Sequence, residues 1–328
     1  MSYAQLKAEL RHVAFTTATP FTRADPDYTR ADSDTSDGES TQQAGEVDHD
    51  ALSENLIAIA EKGARLFIPC GNTGEYYALT DEERSAVVET HVEAVGDGGT
   101  VVGGVGGSTR TAIELLERYE TAGADAAMIM HPVHTYVHEE GLIEYYRRLA
   151  DSTDLGIVLY KRGPEVTRRV LQEVTTIENV VAVKYAVNDV KDFSQSVTDV
   201  SGDVVWLNGI AERYALSFAV EGAEGFTTGI GNFVPEETIA LFDAIEAGEL
   251  DRARTIRDLL RPYEDLREEA GVENVLSAAN NVPAVKYGME LAGLYGGPVR
   301  EPLSDLSSED RSRAEAYYDR IAARDVSA

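Results

Sequence analysis

Lys184 stands near the end of the apolar run Val180-Val181-Ala182-Val183-Lys184-Tyr185-Ala186-Val187, which contains no acidic residue. Burying an unpaired ammonium at a strand end is costly, so such a lysine either has a hidden partner or gives up its proton and serves as an amine. A neutral amine attacks a ketone and forms a Schiff base. The run leaves a second possibility open, a lysine whose stem lies on the core while its head reaches water. Tyr160 ends another apolar run. Its phenol can pass protons if it is held near a reacting carbon, and it also fits an aromatic on a rim. After a third run comes Gly71-Asn72-Thr73-Gly74-Glu75. Its glycines admit a ligand close to the backbone, and the amides and hydroxyl of a tight turn suit a carboxylate, although the same residues also make a good turn.

Three further groups invite chemistry. His131, His134 and His138 share one short stretch, but Pro132 interrupts any helix there and the spacing fixes no acidic partner, so no metal site is expected. His134 is instead the candidate for proton transfer at the rim of a site, where its ordinary pKa is useful. The run Gly103-Gly104-Val105-Gly106-Gly107 lacks the offset and the following acidic residue of a dinucleotide loop, and close backbone approach is the expected role. Lys286 mimics the Lys184 pattern but follows Pro283 at a helix start, which makes it structural.

For these groups to act together, a scaffold must bring distant strand ends to one place. Apolar, β-rich runs at Val13–Ala18, Arg65–Pro69, Thr100–Gly103, Ala126–Met130, Gly156–Tyr160, Val180–Lys184, Val204–Leu207 and Gly225–Thr228 each precede a helical pattern. That alternation predicts parallel βαβ units closed into a (β/α)8 TIM barrel, whose strand C-termini converge on one mouth. Thr80 opens a capping box ahead of a helix reaching about Val95, and Ser108-Thr109 precedes another that ends near Gly123. From Pro235 onward the pattern is only helical, around Glu236–Ala247, Leu250–Ala270, Pro283–Ala292 and Ser308–Ala323. The expected organisation is therefore a barrel over 1–232 with a C-terminal helical extension over 233–328. Arg23–Val47 is acidic, polar and without a hydrophobic period, and predicts a long surface loop.

The 328 residues carry a formal net charge of −29, and only six of the 29 basic residues are lysine. A surface this acidic repels nucleic acid and anionic membranes, and it suits a protein kept soluble in concentrated salt, a halophile's; an ordinary acidic protein is the alternative. A single cysteine, Cys70, excludes an internal disulfide framework and fits a reducing cytoplasm. No apolar stretch approaches the roughly 20 residues of a membrane span, and no signal peptide is recognisable.

Taken in order, Thr19-Pro20-Phe21, Gly71-Asn72-Thr73-Gly74-Glu75, Leu159-Tyr160, Val183-Lys184 and Pro283-Ala284-Val285-Lys286 resemble the dihydrodipicolinate synthase and N-acetylneuraminate lyase superfamily of Schiff-base barrels. The resemblance covers nearly the whole chain. It implies a metal-free, cofactor-free lyase acting on a small 2-keto acid through a covalent imine on Lys184. Tyr160 would relay protons, and Thr73 with Gly71, Asn72 and the loop amides would hold the keto acid's carboxylate. Homotetramers or dimers are also implied. Gly74-Glu75-Tyr76-Tyr77-Ala78-Leu79-Thr80, Gly106-Gly107-Ser108-Thr109-Arg110, Ser152-Thr153-Asp154-Leu155-Gly156 and Gly297-Pro298-Val299-Arg300-Glu301-Pro302-Leu303 look most like 5-dehydro-4-deoxyglucarate dehydratases and related 2-keto-3-deoxy sugar acid enzymes.

Three departures separate the chain from a dedicated dihydrodipicolinate synthase. Asn72 stands where a second threonine is usual, His134 where a relay tyrosine is expected, and Lys161-Arg162-Gly163-Pro164 offers no arginine in the register that binds an aldehyde substrate's carboxylate. A pocket near Asn208-Gly209-Ile210, Thr227-Thr228 and Asn232 is expected to receive the rest of the substrate, its small and amide groups suiting a polyhydroxy chain more than a second carboxylate. Pyruvate aldolase, sugar acid dehydratase or aldolase, 4-hydroxy-tetrahydrodipicolinate synthase, metal-dependent aldolase and a 2-keto acid binding protein without turnover all remain open at this level.

Overall fold

The computed structural model describes residues 1–23 and 44–324. Strands β1 (Val13–Phe15), β2 (Leu66–Phe67), β3 (Thr100–Val105), β4 (Ala126–Met130), β5 (Gly156–Lys161), β6 (Val180–Tyr185), β7 (Val205–Asn208) and β8 (Gly225–Thr228) form one closed barrel. Each pairs in parallel with its neighbours, and β8 meets β1 to close the ring. Parallel strands covered by helices must be buried on both faces, and the sequence supplies this: all six residues of β6 are buried, as are all six of β5. Where a lysine or tyrosine interrupts such a run, the pleat decides whether it faces the barrel or the helices.

Helix boundaries follow local chemistry. Thr80 and Glu83 form a reciprocal capping box ahead of Asp81–Val95, and Ser108 caps Thr109–Ala122, which stops at Gly123 in the left-handed conformation at φ 91°. The glycine-rich run beginning at Gly103 completes β3 and the turn after it. There the Tyr119 hydroxyl donates to the Gly104 carbonyl at 3.0 Å, so the run serves close packing.

Three features differ from the sequence expectations. Tyr3–Leu10 is a helix, opened by a Ser2–Gln5 capping box, and it buries Leu6 and Leu10. Leu6 abuts Gly156 at the start of β5, so this helix covers the end of the barrel opposite the mouth. The expected acidic loop begins and ends in structure, because Phe21–Arg23 pairs antiparallel with Ala44–Val47; the rest of it lies outside the described residues. Pro235–Glu246, expected with the extension, follows β8 directly and acts as the barrel's eighth helix. Its Phe242 ring lies 6.3 Å from Phe226 of β8 and 4.8 Å from His12.

Beyond it, Leu250–Glu268, Asn281–Leu291 and Ser308–Ala322 pack on one another and return to the barrel. The Tyr263 hydroxyl donates to the Ala284 carbonyl at 2.9 Å, and the Tyr263 ring lies 4.8 Å from that of Phe233.

Candidate active site

Strand register brings the two principal candidates together. Tyr160 on β5 pairs directly with Lys184 on β6, and the Lys184 ammonium position lies 4.6 Å from the centre of the Tyr160 ring. Both face the barrel interior, since Asn72, in the loop after β2, reaches the Tyr160 oxygen with its Nδ2 at 3.0 Å. Lys184 is only 4% exposed, and no carboxylate pairs with it among the described residues. Its pKa is lowered to about 7, first by burial and then by the nearby Arg162 guanidinium. Tyr160 is pushed upward by burial, with Arg162 opposing the shift. At neutral pH the site therefore holds a protonated phenol beside an amine with a substantial unprotonated fraction.

Gly209 makes room for this lysine. A Cβ there would lie 3.0 Å from Lys184 Cγ and 2.8 Å from Ala186 Cβ, so a larger residue would press on the stem that aims the amine. Arg162 lies just past the end of β5, two residues beyond Tyr160 and thus in phase with it. It is exposed, has no ion-pair partner among the described residues, and reaches the Tyr160 phenol with its side chain.

The loop after β2 supplies the other half of the site. The amides of Asn72, Thr73 and Gly74 donate to no group among the described residues. The Thr73 hydroxyl, nearly buried, lies 3.2 Å from that of Thr16, whose own proton goes to the Thr228 carbonyl at 2.5 Å. Thr73 must therefore be the donor in this pair, and an arriving carboxylate would compete for its proton. Asn72 differs from a hydroxyl residue in kind: its amide can donate to the phenol but cannot pass a proton on.

Other predicted residues fall elsewhere. His134 is exposed on the loop after β4, where its Nδ1 accepts from the Tyr136 amide at 3.1 Å, and no contact joins it to Lys184 or Tyr160. His131 faces Glu165 at 3.9 Å, and His138 caps the helix Glu139–Ala150. Among the described residues no group of three or more His, Cys, Asp or Glu is placed to hold a metal ion.

The expected polyhydroxy pocket is also less open than its residue types suggest. Asn232 accepts from the Ala18 amide at 3.1 Å and donates to the carbonyls of Thr16 at 2.9 Å and Gly229 at 2.8 Å. Asn208 bonds the backbone of Ile210 and Ala211, each at 2.9 Å. These amides tie strand ends together and have little left for a ligand. Thr227 is buried at the end of β8, with no side-chain hydrogen bond among the described residues. Sequence reasoning gave Glu75 and Lys286 no part in the site. Burial could not be read from their types, and their pairing spans most of the chain.

The family model described as the dihydrodipicolinate synthetase family matches residues 39–320. A 4-hydroxy-tetrahydrodipicolinate synthase from Methanothrix thermoacetophila is 31% identical over 275 residues, covering 82% of this chain and 89% of that protein. A probable 5-dehydro-4-deoxyglucarate dehydratase from Acidovorax ebreus is 28% identical over 273 residues, covering 81% and 87% respectively. Among solved structures, dihydrodipicolinate synthase from Oceanobacillus iheyensis superposes with a TM-score of 0.86 at 33% identity, covering 98% of this chain and 100% of that one.

Proposed function

Because the chain belongs to the dihydrodipicolinate synthetase family and is a lyase, we propose that it works by forming an imine between Lys184 and the C2 carbonyl of a 2-keto acid. The observation that carries this is the burial of Lys184 without a carboxylate partner, which leaves an amine with pKa about 7 against the Tyr160 ring. The free amides of Asn72, Thr73 and Gly74 support the same loop as the seat of the keto acid's carboxylate.

The steps follow from the protonation states. The neutral amine adds to C2, and the Tyr160 phenol gives its proton to the departing carbinolamine oxygen, which leaves as water. The resulting phenolate lies beside the iminium and Arg162, both of which stabilise it. In a dehydration it takes the C3 proton, and the C4 hydroxyl then leaves with a proton as water. In an aldol cleavage the C3–C4 bond breaks instead: the phenolate takes the C4 hydroxyl proton as the aldehyde forms, the iminium accepts the electron pair to become the enamine, and the phenol then gives that proton to C3. Hydrolysis of the imine returns Lys184.

The substrate class we favour is a 2-keto-3-deoxy sugar acid. Asn72 ends the proton path at Tyr160, which suits a single elimination or cleavage better than a two-substrate condensation. We further propose that no metal or cofactor takes part, that the protein works in a salt-rich cytoplasm, and that it assembles as a homotetramer or dimer. No helix among the described residues is long and apolar enough to cross a membrane.

The test is intact mass after borohydride reduction with pyruvate in high salt, comparing wild type with Lys184→Ala. An adduct on wild type alone supports the imine and justifies a screen of sugar acids for dehydration against cleavage. Folded wild type that traps neither pyruvate nor any sugar acid would overturn it.

A further inference from the structure

Glu75 immediately follows the loop that carries the free amides, and its environment is unlike that of any surface glutamate. Its backbone sits in the left-handed region at φ 56°, which a non-glycine residue holds only when its surroundings enforce it. Its carboxylate is buried and held from two sides. Oε1 faces the Lys286 ammonium at 2.5 Å, with side-chain exposures of 1% and 2%, and Oε2 accepts from the Arg300 amide at 2.9 Å. Lys286 also donates to the Pro298 carbonyl at 2.6 Å.

Both partners belong to the C-terminal extension. Lys286 lies on Asn281–Leu291, and Arg300 on the segment that follows. The Arg300 side chain adds Glu83 Oε1 at 2.6 Å and Oε2 at 2.8 Å, and the Ala78 carbonyl at 2.9 Å, so the same segment grips the barrel just past the loop. Phe21 lies between the two cations, 4.3 Å from the Lys286 nitrogen and 4.2 Å from the Arg300 guanidinium carbon.

The loop has little freedom on its other side. The Glu75 amide donates to the Asn72 carbonyl at 3.1 Å and that of Tyr76 to Gly71 at 3.2 Å. A Cβ on Gly74 would lie 2.9 Å from the Thr17 carbonyl oxygen. The Glu75 side chain adds the loop's link to the C-terminal extension.

We propose that Glu75, Lys286 and Arg300 are positioning residues: the C-terminal extension, through a buried ion pair, holds the Gly71–Gly74 loop in the conformation that presents three unbonded amides and Thr73 to a substrate carboxylate. This deepens the proposal of a 2-keto acid lyase and rests on it. The extension then belongs to the site, although none of its residues touches the reacting carbon. A buried pair fits this task because removing one member leaves an uncompensated charge, so the arrangement tolerates no half-formed state.

The experiment uses the full chain in high salt, as wild type, Glu75→Gln, Lys286→Met and the double variant. Each is reduced with borohydride in the presence of pyruvate or of acetone, a ketone that can form the imine but has no carboxylate for the loop. Positioning predicts that the single variants need ~10- to 100-fold more pyruvate for half-maximal trapping. Acetone trapping should stay at the wild-type level. The double variant, which removes both charges, should be less destabilised than either single variant although the Pro298 carbonyl loses its donor, and it should keep the pyruvate defect because the ion pair is gone. Loss of both adducts in a folded variant, or unchanged pyruvate dependence in the double variant, would overturn the inference. Absence of any adduct on wild type would instead strike the imine mechanism itself.

Discussion

Strands β5 and β6 carry two tyrosine–lysine pairs side by side, one on each face of the same sheet. Tyr160 pairs with Lys184 and Lys161 pairs with Tyr185 in consecutive register. Residue types, strands and ladder are shared, and both lysines lie over the opposing ring, at 4.6 Å inside the barrel and 5.4 Å outside it. On the outer face Lys161 donates to the Val166 carbonyl at 2.8 Å and lies 3.9 Å from Asp192, which also accepts from Tyr185 at 2.5 Å and pairs with Arg168. On the inner face no carboxylate pairs with Lys184 among the described residues, and the charge acting on it is the cation of Arg162. Burial lowers both lysines, but outside Asp192 pushes back. A reactive amine is thus made by withholding a partner, with the outer pair as the internal control.

The largest expected effect is on the covalent step. Lys184→Ala should abolish turnover and the borohydride adduct, whereas Lys161→Met should keep the adduct and most of the activity. A Lys161 variant that folds but cannot be trapped would break the comparison. Next come the phenols. Tyr160→Phe should lower kcat by ~10²- to 10⁴-fold, as loss of a general acid–base group does. Tyr185→Phe should leave kcat within a few-fold, and equal losses in the two would mean that neither tyrosine transfers the proton.

A third contrast is the pH dependence of trapping. Below its pKa of about 7 the unprotonated fraction of Lys184 falls about tenfold per pH unit, so the trapping rate should decline below neutrality and level off above it. An amine with the ordinary pKa of 10.5 would keep gaining rate to the alkaline limit. A rate still climbing at pH 9 would show that burial does not tune this lysine.

Much of this architecture is legible in the chain. Eight apolar runs gave the eight barrel strands, because fully buried parallel strands leave uninterrupted β-branched segments. The helices from Pro235 onward were equally plain. What escaped was of two kinds. The Tyr3–Leu10 helix buries only two leucines, so its periodicity is faint, although the Ser2–Gln5 capping box was there to be seen. The hairpin Phe21–Arg23 with Ala44–Val47 joins short, largely polar strands from the two ends of an acidic stretch, a pairing that no local pattern announces. At the site, Lys184, Tyr160 and the Thr73 loop could be found because strand ends of a barrel converge. The Glu75–Lys286 pair could not, because residue type does not show which glutamate a distant lysine will meet. His134 illustrates the opposite case, a residue type suited to proton transfer that stands exposed on its loop.

The remaining expected effect is on stability, and it has the same sign but unequal size on the two faces. Lys184 binds its proton less tightly folded, at about 7, than unfolded, near 10.5. Below pH 7 the folded state must carry a buried charge or shed its proton, so the lysine costs stability in full. The cost shrinks as pH rises and vanishes above about 10.5, where both states are neutral. Lys184→Met should therefore stabilise the protein at pH 6, by at most on the order of 5 kcal/mol, and by progressively less toward pH 10. Lys161 is lowered in the same direction, but Lys161→Met also leaves the Val166 carbonyl without its donor, at a cost of about 1 kcal/mol, so its gain at pH 6 should fall short of that of Lys184→Met. Denaturant titrations of both variants at pH 6 and pH 9, at fixed high salt, measure the difference. If Lys184→Met proved the more destabilising of the two at pH 6, the inner lysine would have a counter-charge after all. The contrast between an unpartnered amine and a partnered one would then fail at its root.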